Sequence, residues 1–231
     1  MPSSIRHAPS LWRQPALAIS VAALWLLAPG PVSAGTEFKA RDGGPSEPQM
    51  LARGDAGLAG LAFVRPVLDG VLYRGGFKGG DKRHAGLSSA QREALCEVGF
   101  SRAYYIDFGS RTAYGTTSCG SGRLEYGPGR SSRTHGLMQD IHAVIQDPGA
   151  GPVLVHCMWG VHSSGAVSAM ALVQFCGWSQ ERAKAYWDKA RNNAPCGKGG
   201  CSKWIDEKFA RFKVDPKLQI STEQQETICP Q

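Results

Sequence analysis

The stretch that decides the fold is VLVHCMWGVHSSG, residues 153–165. A short apolar run ends at His156-Cys157, a loop with one glycine follows, and a segment of small and apolar residues begins at Ser163. This order predicts a strand, a tight loop and a helix, with a thiol where the loop begins. Such a loop directs backbone N–H groups and a helix N-terminus at one point, which suits an anion and favours a thiolate.

The same loop resembles the signature of the cysteine-dependent protein tyrosine and dual-specificity phosphatases. That signature reads His-Cys, five residues, Arg, Ser or Thr, then Gly, and it is matched here by His156, Cys157, Gly160, Ser164 and Gly165. The resemblance implies that Cys157 is the nucleophile, that Ser164 assists the leaving thiolate and that His156 fixes the loop. It also implies that phosphate is bound by the backbone amides of the residues after the cysteine, which are Met158, Trp159, Gly160, Val161, His162 and Ser163.

One position departs from the family, because Ser163 stands where the signature has its arginine. In the family that arginine grips the phosphate with a bidentate guanidinium, whereas serine carries no charge and has a shorter reach. His162 could supply part of the missing charge when protonated. A packing role for His162 beside Trp159 is the alternative, and the sequence leaves both open.

A second part of the family's machinery is also missing from the sequence. Family members carry a general-acid aspartate between the strand near residue 107 and the signature, and residues 109–135 contain no aspartate. Glu125 is the only acid in that stretch, and Asp107 and Asp140 lie just outside it. The sequence therefore predicts a protein that binds a phosphorylated protein or small anionic ligand, with weak or no hydrolysis of phosphate esters.

Three other interpretations were weighed for the same loop. An active phosphatase with altered machinery, in which His162 replaces the arginine, is the first alternative. A rhodanese-like sulfurtransferase is less favoured, since His156 and Gly165 depart from that family's loop. A metal site made of Cys157, His156 and His162 is disfavoured because adjacent residues rarely converge on one ion, so neither a metal nor another cofactor is expected.

A second segment carries a weaker resemblance to the same family. Residues 72–76 read LYRGG and are similar to the Leu-Tyr-Arg-Ser-Gly segment of bacterial dual-specificity-like phosphatases, with Gly75 in place of serine. Arg74 is therefore a candidate anion-facing residue. A structural salt bridge or an exposed strand end is the alternative for this side chain.

The ends of the chain predict a secreted protein of one domain. Residues 1–34 read as a signal peptide: Arg6 and Arg13 precede a short apolar stretch, and Val32-Ser33-Ala34 suits cleavage after Ala34. We expect a flexible leader over 35–60, the folded domain over 61–215 and a C-terminal tail over 216–231. The expected address is periplasmic or extracellular, with no membrane attachment after cleavage. The sequence does not indicate an oligomeric state.

The charge and composition of the chain limit the kinds of partner that it is expected to bind. The chain has 231 residues with a formal charge of +7, and basic residues crowd into 182–217. This crowding indicates either a solvated helix face or attraction to an anionic substrate. No spacing suggests base readout, so a nucleic-acid partner is not expected.

All seven cysteines follow the predicted signal peptide, and an oxidising compartment favours disulfides. The odd number leaves at least one free thiol, and Cys157 is the natural candidate. Cys196 and Cys201 flank a flexible glycine-rich loop that a bridge could close. Cys119 and Cys229 lie in polar sequence and could pair with each other, whereas Cys96 and Cys176 lie in apolar helical contexts, where buried free thiols are expected.

The order of elements predicts an α/β fold. Helical patterns are expected at 87–98, with a capping box formed by Ser88 and Gln91, and at 134–147, 163–176, 179–190 and 203–212. Strands are expected at 102–108, 123–126 and 153–155, and a hairpin or strand at 67–76. Their alternation predicts a sheet covered on both faces. The family resemblance implies a phosphatase-like, mostly parallel central sheet flanked by helices in a single domain.

Overall fold

The computed structural model describes residues 61–76, 86–106, 113–129, 134–191, 194–196 and 200–230. They fall in one compact unit, which spans Pro31–Gln231. The predicted signal peptide, its cleavage site, the leader and Asp107 lie outside the described residues. Among the helices of the described part, none is long and apolar enough to cross a membrane.

A six-stranded mixed sheet forms the centre of the domain. Its strands are β1 (Ala62–Leu68), β2 (Leu72–Gly76), β3 (Arg102–Tyr105), β4 (Gly115–Cys119), β5 (Gly122–Pro128) and β6 (Val153–Cys157), in the spatial order β1-β2-β6-β3-β5-β4. The inner strands β2, β6, β3 and β5 run parallel, and β1 and β4 add antiparallel edges. This sheet confirms the predicted α/β fold.

Helices cover both faces of this sheet. They are α1 (Ser89–Glu97), α2 (Thr134–Gln146), α3 (Ser163–Cys176), α4 (Gln180–Ala190), α5 (Gly200–Phe209) and α6 (Thr222–Ile228). One hydrophobic cluster joins α1 to the first face, and a larger one joins the other helices to the second. The predicted capping box at Ser88 and Gln91 is confirmed, with Ser88 Oγ accepting from the Gln91 amide at 3.2 Å.

Helix α3 explains how the sheet positions the loop of interest. It is buried over nearly its whole length, as its uniformly apolar sequence predicts. Strand β6 is central and fully buried, and it ends at Cys157. The loop of residues 158–162 therefore lies at the carboxyl edge of the parallel strands, where open α/β sheets bind their ligands.

Three disulfides link six of the described cysteines, and they correct one expected pairing and two expected free thiols. Cys196–Cys201 is confirmed, and Cys157 is the free thiol, as predicted. The expected pair Cys119–Cys229 is wrong, and so are the expected free thiols at Cys96 and Cys176. The bridges are Cys96–Cys119 and Cys176–Cys229, which span 23 and 53 residues of sequence.

The C-terminal residues belong to the domain rather than to a tail. Residues 216–230 contain a short 3-10 helix at Pro216–Leu218 and helix α6. Ile228 is buried in the larger hydrophobic cluster, and Cys229 is bonded to the end of α3. The expected boundary at residue 215 therefore falls inside the packed structure.

Two elements near the sheet edges also differ from the sequence-based expectation. The polar residues Gly115–Cys119, where the sequence predicts no strand, form β4 by pairing with β5 at the edge of the sheet. Helix α5 begins at Gly200, three residues earlier than expected, and ends at Phe209. In both places polar or glycine-rich sequence is ordered by its neighbours, which tertiary packing can impose on weak local preferences.

Candidate functional site

Cys157 and Ser164 form the chemical centre of the site. Cys157 is buried at the end of β6, and its Sγ lies 3.3 Å from the Ser164 hydroxyl. Ser164 lies in the first turn of α3, and the residue that precedes this helix as its N-cap is His162. Ser164 therefore lies inside the helix and is not its N-cap. Its hydroxyl instead lies within hydrogen-bonding distance of the thiol, where it can stabilise a thiolate.

His156 is a buried structural neighbour of this centre. Its ring is stacked between Tyr105 and Tyr126, at centroid distances of 5.0 and 5.6 Å. Its Nε2 lies 3.0 Å from the hydroxyl of Tyr126, which also accepts from the Leu87 amide. Burial lowers the pKa of His156 to about 3, so the ring is neutral at physiological pH. A neutral, fully buried ring suits the positioning role expected for His156.

The backbone of the Cys157 loop, residues 158–163, is held from beneath by side chains of β2 and α4. Arg74 Nη2 donates to the carbonyls of Gly160 at 3.0 Å and Val161 at 3.1 Å. Trp187 Nε1 on α4 donates to the carbonyl of His162 at 3.0 Å. In a planar trans peptide the C=O and the following N–H point in opposite directions. These bonds therefore turn three successive amides of the loop away from Arg74 and Trp187.

Close backbone contacts explain the glycines around this loop. Gly160 has φ +69°, and a Cβ placed there would meet the backbone of Gly76 at 2.6 Å. Gly76, at the end of β2, would in turn place a Cβ 2.4 Å from the Gly160 amide nitrogen. A Cβ on Gly165 would lie 2.7 Å from Arg74 Nη2. The loop, β2 and the Arg74 guanidinium thus occupy space that only glycine leaves open.

The remaining residues of the loop differ in exposure and in their neighbours. Trp159 is 46% exposed, whereas Gly160 and Val161 are buried and Ser163 is half-buried. The ring of His162 lies edge-on to Trp204 of α5, with centroids 6.4 Å apart. His162 therefore has an aromatic neighbour on α5. The hypothesis that a protonated His162 replaces the arginine of the family signature stays a prediction.

Arg74 and Arg65 lie beneath the loop. They are direct partners in the antiparallel pairing of β2 with β1, and both side chains are buried, at 0% and 1% exposure. Arg65 Nη2 donates to the carbonyl of Ala190, the last residue of α4, at 2.8 Å. Arg74 is thus neither an exposed strand end nor, among the described residues, one half of a salt bridge. Arg65 was not identified from the sequence, because its place beside Arg74 depends on strand register.

Two of the acids considered from the sequence are engaged elsewhere. Glu125 on β5 pairs in register with Arg102, at the start of β3, and forms an ion pair with Arg123 at 3.2 Å. Arg102 is level with Val153, four residues before Cys157 and so about 13 Å along the strand. Asp140 accepts from Arg102 at 2.9 Å and from the Tyr104 hydroxyl at 2.6 Å. Neither carboxyl is placed to protonate a leaving group at Cys157.

Comparison with known proteins gives matches among solved structures alone. No family model and no curated protein matches the chain. Solved structures of protein tyrosine and dual-specificity phosphatases are similar to it, and they belong to the superfamily that the loop resembles.

Three of these structures illustrate the range. Human tyrosine phosphatase-like serine/threonine/tyrosine-interacting protein is 16% identical, with 64% of this chain and 95% of that chain covered and a TM-score of 0.39. PTPMT1 in complex with PI(5)P is 17% identical, with 64% and 97% covered and a TM-score of 0.41. P. aeruginosa TpbA in complex with pTyr is 14% identical, with 75% and 100% covered and a TM-score of 0.38. Identities and TM-scores this low do not support a function, so the proposed function rests on the geometry of the site.

Proposed function

We propose that this protein binds a phosphorylated protein or a small anionic ligand at the Cys157 loop, with weak or no hydrolysis of phosphate monoesters. The observation that carries the proposal is the loop itself. Arg74 and Trp187 donate hydrogen bonds from beneath the loop to the carbonyls of three successive residues, and the N–H groups that follow these carbonyls point the opposite way. A ring of backbone N–H groups next to a helix N-terminus is a site for a tetrahedral oxyanion.

The same geometry supports binding better than turnover. Hydrolysis needs a group that protonates the leaving oxygen and a positive group that stabilises the transferring phosphoryl. Ser163 cannot supply the bidentate grip of an arginine, and Glu125 and Asp140 are engaged with other partners. The candidate nucleophile Cys157 and its hydroxyl neighbour Ser164 are present. The arginine is replaced by serine, and the two carboxyls considered as general acids lie elsewhere.

A secreted location is part of the proposal. It is supported by the sequence of residues 1–34, which has the positive start, apolar stretch and small residues of a signal peptide. Six of the seven cysteines are paired, which suits an oxidising compartment. N-terminal sequencing of the protein recovered from the periplasm or medium tests this, and a mature chain that begins at Gly35 is the expected result.

The proposed ligand binding is tested by titrating the mature protein with tungstate, a tetrahedral dianion that mimics phosphate. We expect saturable binding to the parent and to the Cys157→Ser variant, since the amides and not the thiol hold the anion. The variant Ser163→Arg adds the missing guanidinium, and a bidentate contact of this kind strengthens binding about tenfold or more. Absence of tungstate binding by the parent protein, with its fold intact by circular dichroism, contradicts the proposal.

Hydrolysis of p-nitrophenyl phosphate by the same three proteins separates the proposal from its alternative. An active phosphatase with altered machinery is favoured by one observation, the 3.3 Å distance between Cys157 Sγ and Ser164 Oγ. We expect little turnover by the parent, a gain in Ser163→Arg and none in Cys157→Ser. Efficient turnover by the parent that disappears in Cys157→Ser establishes the alternative.

A further inference from the structure

Two arginines beneath the Cys157 loop are buried without a carboxylate. Arg65 and Arg74 are 1% and 0% exposed, and within the described residues the Nη2 of each donates to backbone carbonyls. On both side chains Nε and Nη1 are buried and have no hydrogen-bond partner. In the described part of the chain each guanidinium thus has one nitrogen bonded to carbonyl oxygen and two without a well-formed bond, and Arg65 also interacts with the Tyr186 side chain, which favours its charged form.

This arrangement opposes folding unless something offsets it. A buried donor without an acceptor costs about 1–3 kcal/mol, and a buried charge without a counter-charge costs more. Here two like charges are also neighbours across β1 and β2. Burial and the charge of Arg74 lower the pKa of Arg65 to about 9, which still leaves Arg65 positive at neutral pH. Groups held at such a cost are typical of functional sites.

The surroundings of the pair indicate what offsets its charge. Arg65 interacts electrostatically with Arg74, Tyr186 and Cys157. Its bond to Ala190 places it at the carboxyl end of α4, where the helix dipole gives partial compensation. Arg74 is bonded to the loop that surrounds the proposed anion site. An anion bound in the loop, beside the Cys157 side chain, would supply the remaining counter-charge.

We propose that Arg65 and Arg74 act as a buried cationic pair that stabilises an oxyanion at the Cys157 loop, supplying from beneath it the positive charge that Ser163 cannot supply within it. This inference rests on the proposed anion-binding function. The two arginines are positioning residues, since the backbone of the loop lies between Arg74 and the ligand.

The two members of the pair have separable roles. Arg74 holds the carbonyls of Gly160 and Val161, so its replacement changes both the shape of the loop and its charge. Among the described residues Arg65 has no hydrogen bond to the loop, and the carbonyl to which it donates is that of Ala190 in α4. A change at Arg65 therefore tests the charge alone.

The experiment compares Arg65→Met with Arg65→Lys in the mature protein. Methionine approximates the length of the buried side chain without charge, and lysine restores the charge without the planar fork. Lys203→Met, at an exposed position of α5, is the matched control for loss of one positive charge. Tungstate affinity is measured by calorimetry and the midpoint of thermal unfolding by circular dichroism.

We expect Arg65→Met to bind tungstate about tenfold more weakly while its unfolding midpoint stays the same or rises, because an uncompensated buried charge has been removed. Arg65→Lys should recover most of the affinity, and Lys203→Met should change neither quantity. A purely structural arginine would lower the midpoint in both Arg65 variants and leave the affinity of the folded fraction unchanged, which would overturn the inference.

The remaining outcomes separate this inference from the function beneath it. If the parent binds tungstate and Arg65→Met binds equally well, the cationic pair is refuted and the binding function stands. If the parent does not bind tungstate, both are refuted. If Arg65→Met does not fold, Arg65→Lys and Arg65→Gln decide the question, since equal tungstate affinity in those two folded variants also refutes a role for the charge.

Discussion

Two sets of arginines in one sheet have opposite surroundings. Arg102, at the start of β3, is about one-third exposed and is paired with Asp140, which also accepts from Tyr104. Arg65 and Arg74 lie on β1 and β2, are buried and have backbone carbonyls as their acceptors. The first set follows the usual rule that a charge near the interior is paired. The second departs from it, because within the described residues neither arginine has a carboxylate partner and Arg74 holds the loop beside Cys157. The difference teaches that Arg102 has the surroundings of a structural ion pair, whereas Arg65 and Arg74 have surroundings typical of a functional site.

The comparison predicts that stability and anion binding can be changed separately. Substitutions remote from the Cys157 loop should change the free energy of unfolding and leave anion affinity unchanged. Substitutions of the arginines beneath the loop should change anion affinity, and they need not destabilise the protein. Each prediction below breaks or sharpens that division.

The largest expected effect is on stability. Cys176 ends α3, thirteen residues and about 20 Å of helix from Ser163. Removing its bridge in Cys176→Ala/Cys229→Ala opens a 53-residue loop and should lower the free energy of unfolding by about 4 kcal/mol. Tungstate affinity of the folded protein should change less than about twofold, given that distance. Denaturant unfolding and calorimetry measure the two quantities.

The matched control is the short bridge Cys196–Cys201. Its loop spans five residues, so Cys196→Ala/Cys201→Ala should cost about 2 kcal/mol, roughly half as much. If loss of the longer bridge abolished tungstate binding in protein that is still folded, the division between stability and binding would be wrong.

An intermediate effect is expected from pH. The pKa of Arg65 is lowered to about 9, so its charge is present below that pH and lost above it. Tungstate affinity should therefore fall as the pH rises through about 9, by about tenfold if the charge acts as proposed. The contribution of Arg65 to stability should move the other way, because the unfolded arginine keeps its proton to higher pH.

Other groups that face Arg65 must be separated in that titration. They are Arg74, Tyr186 and Cys157. Titrations in a Cys157→Ser background remove the thiol, and subtracting the Arg65→Met profile removes the effects of Tyr186 and Arg74. A fall in affinity of the same size in Arg65→Met would assign the pH dependence to another group.

The smallest effect is expected from the paired arginine. Arg102→Met leaves Asp140 bonded to Tyr104 and removes an ion pair whose two side chains are about one-third exposed, so the free energy of unfolding should fall by less than about 1 kcal/mol. Tungstate affinity should not change, because Arg102 lies about 13 Å along the sheet from the level of Cys157. A weakening comparable with that of Arg65→Met would show that any arginine of the sheet affects the site.

Much of the fold follows from local patterns in the sequence. The bounds of α3 are those expected from its apolar run, and α1 begins at the expected capping box. These elements are predictable because their signals lie within one or two turns of helix. Strand β4 was missed because its residues are polar and largely exposed, and pairing with β5 is what orders them.

The disulfides show where local patterns end. Cys196 and Cys201 are close in sequence, and their bridge was expected. Cys96–Cys119 joins α1 to β4, and Cys176–Cys229 joins α3 to the end of α6. These two pairings depend on which elements pack together, so the polarity of the flanking residues gave the wrong partners.

By itself the sequence determined that a thiol stands between a buried strand and a buried helix, that the loop carries serine instead of arginine, and that an α/β sheet supports them. The tertiary structure alone decided where the positive charge lies. Arg65 and Arg74 meet because irregular pairing of β1 with β2 brings them into register, and α4 accepts from Arg65 at Ala190 and donates to the loop from Trp187. Electrostatic partners act through space, and their distances are fixed by strand register and helix packing rather than by spacing along the chain.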